Sequence, residues 1–425
     1  VKYLPASIEY LINLKKIHLE LNQLSDLPES LGKLSKLQTL DIRDNNLSSL
    51  PESLGNLSNL QILDISGNNL SFLPESLGKL SKLQTLDIRD NNLSSLPNSS
   101  GNLSNLQVLY VSGNNLSSLP DSLGNLSKLQ TLDIIANNLS SLPDSLGNLS
   151  KLQTLDIRNN NLSSLPDSLG NLSNLQSLYI SENLLSFLPE SLGNLSNLQS
   201  LYISKNLLSS LPDSLGKLFN LRSLDISNNK LSSLPDSLGK LFNLQLLCIN
   251  ENLFSYLPES LGNLSNLQSL NISGNHIFSL PDSLGKLFNL QWLDISYTKI
   301  DSLSSWIGSL KQLRFLDLSE LNLRSLPSEI LDLNLPFNSF FQNGIELYRT
   351  TLSTQPISLF GQPRELIQAY FDSPKIPVHE TKVIFLGDGG AGKTHTIHRI
   401  QNNCQSGEYH TEMTPGVEIT SFQTQ

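Results

Sequence analysis

The stretch Leu37-Gln-Thr-Leu40-Asp-Ile42-Arg-Asp-Asn45-Asn-Leu47-Ser-Ser-Leu50-Pro51 decides the fold of this chain. It returns with small changes every 23 residues, so that one design fills most of the 425-residue sequence. Around Leu40-Asp41-Ile42 the apolar side chains fall on alternate positions, which predicts a strand with one face buried. Because a single copy is too small to enclose its own leucines, the copies are expected to stack around one continuous apolar column.

Two series of residues define the length of the repeat. The first runs without exception from Leu14 to Leu313 and gives fourteen copies of 23 residues. The second is a proline that recurs from Pro5 to Pro281, is absent at Ser304 and resumes at Pro327. After each proline the leucines follow a period near three, which predicts a tighter return path between successive strands.

The repeated pattern resembles the leucine-rich repeat, L-x-x-L-x-L-x-x-N-x-L. The resemblance implies an α/β fold: a horseshoe-shaped solenoid with a parallel sheet on its concave side and the proline-bearing returns on its convex side. By the repeat register, this solenoid spans residues 1–335. Val1 stands at a core position with no polar cap and no initiator methionine before it, so we expect that it is not the natural start of the protein.

Asparagine follows the predicted strand in twelve repeats, from Asn22 to Asn275. An amide side chain both donates and accepts hydrogen bonds, so a buried stack of amides can satisfy the backbone groups left over where each strand turns. The series then changes to Thr298, which can substitute in part, and to Leu321, which cannot form a hydrogen bond. The segment 298–335 is therefore interpreted as the end of the solenoid.

The composition excludes several classes of function. The formal net charge is −10 and the isoelectric point is near 5.1, which argues against nucleic acid as a partner. Two cysteines, Cys248 and Cys404, cannot form a disulfide framework, so a reducing compartment is expected. No apolar run approaches the ~18 residues of a membrane span, and no signal peptide is recognisable. These features predict a cytoplasmic protein.

Side chains beside the strand leucines are expected to point into the concave face, where solenoids bind partners. Tyr179 and Tyr202 form the only adjacent pair in one aspartate-rich column with enough area to anchor a protein partner. The partner is expected to be another protein or a downstream domain of the same chain; near-identical repeats also fit a surface that only keeps the sheet solvated. The column consists of His18, Asp41, Asp64, Asp87, Tyr110, Asp133, Asp156, Tyr179, Tyr202, Asp225, Cys248, Asn271, Asp294 and Asp317.

The same column raises the question of a metal site, because carboxylates are hard oxygen ligands of the kind that calcium prefers. Arg43 and Arg89 alternate with the column residues Asp41 and Asp87. This arrangement favours charge neutralisation by arginine over a calcium site.

After the last repeat the 23-residue register fails, because Pro336 stands where the next leucine is due. The segment 336–380 combines prolines with many aromatic residues, so part of it is expected to pack onto the last repeat. Trp292 and Phe315, neighbours in a flanking column of the face, are candidates for the surface that receives it. Within the segment, Pro363–Phe371 reads as a short helix with proline near its first turn.

The segment 381–425 carries a second motif and is predicted to begin a second domain. Lys382–Leu386 reads as a short buried strand, and His395 opens a predicted helix. Between them, Gly387-Asp-Gly-Gly-Ala-Gly-Lys-Thr394 fits G-x-x-x-x-G-K-[ST] at every fixed position, in the strand–loop–helix context of a P-loop NTPase. Twenty residues further on, Thr414-Pro-Gly-Val is similar to switch I of small G proteins.

The residue types in this motif fit a nucleoside triphosphate with magnesium. Backbone N–H groups in the glycine-rich loop can surround phosphate oxygens, and the Lys393 ammonium can reach the β- and γ-phosphates. The hydroxyls of Thr394 and Thr414 are the predicted Mg²⁺ ligands. The residues predicted to bind the nucleotide are Gly387, Gly389, Gly390, Ala391, Gly392, Lys393, Thr394 and Thr414.

Leucine-rich repeats placed before a Ras-like P-loop resemble the Roco proteins, in which a Roc GTPase domain and a COR dimerisation domain follow the repeats. The resemblance implies that the chain is a fragment of a GTPase that binds GTP or GDP with Mg²⁺ and forms dimers. The guanine-reading N-K-x-D and the D-x-x-G motif are absent from the sequence, so this piece is expected to be inactive in hydrolysis. Two alternatives stay open: a repeat scaffold with an inactive P-loop remnant, and a STAND-type ATPase switch.

Overall fold

The structure, a computed structural model, describes residues 1–337 and 343–373. Its main feature within these residues is a parallel sheet of fifteen three-residue strands, which lie in chain order. These strands are β1 (Lys16–His18), β2 (Thr39–Asp41), β3 (Ile62–Asp64), β4 (Thr85–Asp87), β5 (Val108–Tyr110), β6 (Thr131–Asp133), β7 (Thr154–Asp156), β8 (Ser177–Tyr179), β9 (Ser200–Tyr202), β10 (Ser223–Asp225), β11 (Leu246–Cys248), β12 (Ser269–Asn271), β13 (Trp292–Asp294), β14 (Phe315–Asp317) and, after the short β15 (Asn322–Leu323), β16 (Gly344–Glu346). A second small parallel sheet pairs β15 with β17 (Thr351–Leu352).

The strands pair in the register that the repeat predicts. Leu40 of β2 lies opposite Leu63 of β3, and Leu63 lies opposite Leu86 of β4, a step of 23 residues each time. These middle residues are almost completely buried, as are the equivalent leucines along the sheet. The predicted strand with one buried face is confirmed, and the leucines of successive repeats form a single core.

The return paths carry short 3₁₀ helices directly after the repeat proline, or after Ser304 where the proline is absent. Pro51, for example, has an extended backbone, and its carbonyl accepts a 3.0 Å hydrogen bond from the backbone N–H of Leu54. Because a 3₁₀ helix has three residues per turn, Leu54 and Leu57 come to lie on the same inner side, and both are fully buried. The 3₁₀ helices are Ala6–Tyr10, Glu29–Lys33, Glu52–Asn56, Glu75–Lys79, Asn98–Asn102, Asp121–Asn125, Asp144–Asn148, Asp167–Asn171, Glu190–Asn194, Asp213–Lys217, Asp236–Lys240, Glu259–Asn263, Asp282–Lys286, Ser305–Ser309, Ser328–Leu333 and Ile357–Gly361.

The asparagine ladder forms as predicted. Asn68 is buried; its Nδ2 donates to the backbone oxygens of Ile42 and Ile65, both at 3.1 Å. Its Oδ1 accepts a 3.0 Å hydrogen bond from the backbone N–H of Leu47 in the preceding repeat. One amide therefore satisfies backbone groups of two repeats, and the same contacts recur along the ladder to Asn275.

The sheet continues beyond residue 335, the boundary predicted from the repeat register. β16 pairs with β14 in parallel, but Phe315 lies opposite Gly344, so this step takes 29 residues instead of 23. Gln355 also pairs with the last repeat, because its amide accepts from the backbone N–H of Leu326 at 2.8 Å and donates to the backbone oxygen of Leu326 at 3.1 Å. Part of the segment 336–380 thus packs onto the last repeat, as expected, and adds a strand that the sequence pattern does not predict.

In this last region threonine replaces asparagine at two positions of the ladder. Thr298 Oγ1 donates to the backbone oxygen of Ile295 at 2.8 Å, which confirms the predicted partial substitution. Leu321 is fully buried in the next position. Thr350, one step further, donates through Oγ1 to the backbone oxygen of Leu318 at 2.6 Å. The segment 298–335 is therefore followed by a further ladder residue and is not the end of the solenoid.

The predicted helix at 363–371 is confirmed as α1 (Arg364–Asp372). In the part of the chain that the structure describes, none of the helices is both long and apolar enough to span a bilayer. Residues 374–425, which include the predicted P-loop, lie outside the described residues.

Candidate protein-binding face

We use the term sheet face for the surface formed by the two residues that flank the buried leucine of each strand, together with the residue two places after the strand. It corresponds to the predicted concave face. Parallel pairing aligns equivalent residues in columns, so that Asp41 lies opposite Asp64, and Asp64 lies opposite Asp87. The aspartate-rich column predicted from the sequence is therefore confirmed.

Two arginine side chains neutralise aspartates of this column, and each binds one carboxylate through two nitrogen atoms. Arg158 donates through Nε and Nη2 to the Asp156 carboxylate, at 2.9 Å and 2.7 Å. Arg89 binds Asp87 in the same way, with Nε 2.9 Å from Oδ1. These hydrogen bonds raise the pKa of both guanidinium groups, so the arginines stay charged. The expected neutralisation of aspartate by arginine is confirmed at Asp87, and Arg158 with Asp156 is a further case beyond the predicted ones.

Potential metal ligands come together at the first strand. His18, Glu20 and Asp41 bring ligand atoms within 4.8 Å of one another. Arg43 Nη1, however, lies 3.6 Å from the carboxylates of both Asp41 and Asp64, and burial raises the pKa of Asp41. Asp41 of this cluster therefore already has a cationic partner from the chain itself.

The predicted tyrosine pair is in place. Tyr179 of β8 lies opposite Tyr202 of β9, and their rings stack with centroids 5.3 Å apart and an interplanar angle of 26°. The guanidinium carbon of Arg158 lies 5.4 Å from the centroid of the Tyr179 ring. A pocket of about 460 Å³ opens on the sheet face here, and its walls include both tyrosines, Ile135 and Asp225.

Charged and polar groups around the pocket have internal partners. Lys205 Nζ binds the Glu182 carboxylate at 2.6 Å, and Ser204 Oγ donates to Ser181 Oγ at 2.9 Å. Asp225 is different, because among the described residues no lysine, arginine or histidine forms an ion pair with it. The pocket therefore joins an aromatic wall to one carboxylate that lacks a cation.

Two other candidate groups on this face have structural explanations. Burial raises the pKa of Cys248 to about 11, and neighbouring aspartates act in the same direction, so the thiol stays protonated at neutral pH. Trp292 and Phe315 stack with their ring centroids 4.1 Å apart. Phe315 is 1% exposed next to β16, whereas Trp292 remains 38% exposed, so only Phe315 is covered in the described structure.

All members of the predicted nucleotide site belong to residues 374–425 and lie outside the described residues. They are Gly387, Gly389, Gly390, Ala391, Gly392, Lys393, Thr394 and Thr414, and they remain predictions from the sequence.

Sequence reasoning selected the tyrosine pair but missed the contribution of Arg158 and Asp225. The sequence does contain a signal that Arg158 contacts the tyrosine pair, because Arg158 and Tyr179 are separated by the same 21 positions as Arg89 and Tyr110. Arg89 indeed lies over the ring of Tyr110, at 4.9 Å from its centroid. A signal for Asp225 was also present, because Ser227 stands two places after Asp225, where Asp87 and Asp156 are followed by arginine.

Two family models match the chain over its repeats. The model described as a leucine-rich repeat region matches residues 52–141, 132–230 and 191–280, which together exceed half of the chain. The model described as a leucine rich repeat matches residues 12–70 and 265–323. A search of curated protein sequences gave no significant match.

Several solved structures are similar. A leucine-rich repeat protein of Leptospira interrogans is 33% identical, with 83% of this chain and 88% of that chain covered and a TM-score of 0.74. A TDR receptor is 30% identical, with coverages of 83% and 67% and a TM-score of 0.65. The plant peptide hormone receptor RGFR1, in complex with RGF2, is 28% identical, with coverages of 83% and 73% and a TM-score of 0.52. The repeat models, the ladder and the parallel sheet agree, and the chain belongs to the leucine-rich repeat protein family.

Proposed function

We propose that this protein is an interaction scaffold that binds a polypeptide partner on its sheet face, at the pocket beside Tyr179 and Tyr202. The observation that carries the proposal is the stacked tyrosine pair next to an open pocket of about 460 Å³. Tyrosine contributes a large, rigid contact area and is enriched among the residues that dominate binding energy. The similarity to a peptide hormone receptor in complex with its RGF2 partner supports a polypeptide as the ligand class.

A second surface with exposed aromatic residues lies among the 3₁₀ helices. Phe219, 51% exposed, borders a depression of about 530 Å³ together with Lys217 and Lys240. The sheet face is the better candidate because its tyrosine rings are held by each other and by Arg158 before any partner arrives, which lowers the entropy lost on binding. Phe219 provides a matched exposed aromatic residue for comparison.

The test is a selection of peptides from a random display library on the purified chain. Selected peptides are then measured against Tyr179→Ala, Tyr202→Ala and Phe219→Ala. We expect the tyrosine variants to weaken binding by about tenfold or more, as for anchor residues, and Phe219→Ala to leave it unchanged. Peptides whose binding depends on Phe219 but on neither tyrosine would contradict the proposed face.

We further propose that the P-loop sequence belongs to a Roco-like GTPase whose solenoid recruits partners or regulates the G domain in the cytoplasm. The support is the sequence from Gly387 to Thr394, whose glycines, ammonium and hydroxyl are the donor set that a triphosphate with Mg²⁺ requires. In this proposal Lys393 would contact the β- and γ-phosphates, and Thr394 and Thr414 would bind Mg²⁺. Dimerisation of the full-length protein is part of the same proposal, by resemblance to the family.

Calorimetric titration of GTP with Mg²⁺ into the full-length protein and its Lys393→Ala variant tests this second proposal. We expect GTP binding that the variant loses. Equal affinity in the two proteins would contradict the role of Lys393. A preference for ATP would instead support the STAND-type alternative, and a lack of any nucleotide binding would support a scaffold with an inactive remnant.

A further inference from the structure

The order of side chains across β7 to β10 shows how this chain positions an arginine against a tyrosine. Asp156 of β7 binds Arg158, and the Arg158 guanidinium lies over the ring of Tyr179 on β8, the next strand. The same unit occurs at Asp87, Arg89 and Tyr110. A guanidinium between a carboxylate and an adjacent tyrosine ring is thus a stable arrangement on this surface, because the carboxylate neutralises its charge while the ring face attracts it.

Tyr202 and Asp225 are also neighbours in the column, but in the opposite order, with the tyrosine on the earlier strand and the carboxylate on the later one. They lie opposite each other on β9 and β10, one strand spacing apart, and both border the pocket. The position that arginine occupies in the other units is Ser227, whose N–H and Oγ both donate to Asp225, at 3.0 Å and 2.6 Å. Tyr179 stacks on one side of Tyr202, and Asp225 is the column neighbour on the other side.

We propose that this pocket binds an arginine side chain of the partner polypeptide, with the guanidinium against the Tyr202 ring and its charge directed at Asp225. The proposal rests on the proposed function of the sheet face and names the chemistry of its ligand. Arginine fits better than lysine because its planar group both stacks on an aromatic ring and forms a fork with a carboxylate. The net charge of −10 favours a basic partner in addition, since it increases the rate of encounter.

The probe is N-acetyl-L-arginine amide, and its binding to the chain is measured by ligand-observed NMR titration. N-acetyl-citrulline amide, which has nearly the same shape and no charge, is the comparison ligand. We expect binding of the arginine derivative only, and we expect Tyr202→Ala and Asp225→Asn each to weaken it by about tenfold, the order of a partly desolvated cation–π or ionic contact. Asp225→Asn is expected to fold, because Asn271 occupies the same column position with the same serine hydrogen bonds.

Two matched variants make the test specific. Tyr110→Ala removes a tyrosine of the same column whose ring already has Arg89 over it, and it is expected to leave binding of the probe unchanged. Ser227→Arg converts Asp225-Ile-Ser into the Asp-Ile-Arg sequence found at Asp87 and Asp156, so the new arginine is expected to bind the Asp225 carboxylate, as Arg89 and Arg158 bind theirs, and to weaken binding of the probe by about tenfold.

Equal binding of the citrulline and arginine derivatives would overturn the proposal, as would full binding to a folded Ser227→Arg protein. The display selection separates this inference from the proposed function. If selected peptides require Tyr202 but contain no arginine, the sheet face is still the binding surface and the arginine proposal is wrong. If no selected peptide requires either tyrosine, the proposed function itself fails.

Discussion

The amide oxygen of Asn160 accepts a 3.0 Å hydrogen bond from the backbone N–H of Leu139, which lies 21 residues earlier in the chain. The Nδ2 of the same side chain donates to the backbone oxygen of Ile134, also at 3.0 Å, and to that of Ile157 at 3.2 Å. The residues that carry these groups are all buried, so in the folded protein the amide satisfies them in place of bulk water. The asparagine ladder therefore links each repeat to the one before it through polar contacts as well as through leucine packing.

Replacement of Asn160 by alanine should destabilise the solenoid. The change leaves a buried N–H and buried carbonyls without partners, and we expect a loss of about 1–3 kcal/mol in the free energy of unfolding. Urea denaturation followed by circular dichroism measures the loss. Asn161→Ala is the matched control, because Asn161 is the exposed neighbour and should change stability by less than about 0.5 kcal/mol. Equal effects of the two substitutions would contradict the role of the ladder.

Ala136 adopts a left-handed backbone conformation, with φ of 52°, at the end of its strand. The equivalent residue of the preceding repeat is Gly113, with φ of 66°. A Cβ atom makes this conformation unfavourable by about 1 kcal/mol, whereas glycine adopts it freely. We therefore expect Ala136→Gly to raise the free energy of unfolding by about 0.5 kcal/mol, and Gly113→Ala to lower it by about 1 kcal/mol.

Urea midpoints of the two variants provide the comparison, and each serves as the control of the other. The surroundings differ in one respect, because a Cβ atom on Gly113 would also meet the Asp90 carboxylate, whose flexible side chain can move aside. Changes of the same sign would show that backbone strain is not what distinguishes glycine from alanine here.

The strands and the ladder could be predicted because the strand pattern recurs in fourteen repeats and the ladder asparagine in twelve of them. The end of the solenoid could not be predicted, since the step from Phe315 to Gly344 has six more residues than the repeat and Pro336 occupies the place where a leucine was due. Thr350 then replaces asparagine in the ladder, so two changes coincide. A sequence pattern with a fixed step of 23 residues predicts neither change, whereas the hydrogen bonds in the structure show both the longer step and the threonine in the ladder.

The candidate site was predictable only in part. Tyr179 and Tyr202 are one repeat apart, so the repeat length places them side by side on adjacent strands, and tyrosine is a large side chain. The pair was therefore selected from the sequence. That Arg158 pairs with Asp156 and not with Asp133 of the preceding strand depends on where its side chain points, since both carboxylates act on its charge. The choice among them is made by side-chain packing, which a one-dimensional pattern does not contain.

Gly124 lies where two adjacent 3₁₀ helices come closest. A Cβ atom on this residue would overlap the backbone oxygen of Ser145 in the next repeat, and a backbone atom cannot move aside as a flexible side chain can. We expect Gly124→Ala to reduce the free energy of unfolding by about 1–3 kcal/mol, as other overpacked core substitutions do. Gly361→Ala is the control, because a Cβ atom there meets nothing within 4 Å. A thermal unfolding midpoint that stays unchanged in Gly124→Ala would contradict the close approach.

Asp294 and Asn271 occupy the same column position on adjacent strands and accept the same hydrogen bonds. The serine two places further on donates to each of them through its N–H at 3.0 Å and through its hydroxyl at 2.7 Å. Burial raises the pKa of Asp294 above its ordinary value of 3.8, and the nearby Asp317 acts in the same direction. The charged form of Asp294 is therefore less favourable in the folded protein than in the unfolded chain.

The sign of the pH dependence follows from this shift. A raised carboxyl pKa contributes stability that is fully present below the unfolded-state pKa and is lost as the pH rises through the folded-state pKa. Asp294→Asn keeps the hydrogen bonds, as Asn271 demonstrates, and removes the charge. We expect the variant to be more stable than the native protein at pH 7, and we expect this advantage to shrink as the pH falls toward 4.

Urea midpoints of both proteins between pH 7 and pH 4 measure the effect, and the difference between the two curves cancels the other titrating groups. If Asp294→Asn were less stable than the native protein at pH 7, the Asp294 carboxylate would be a stabilising group. Burial would then not be the dominant influence on this side chain.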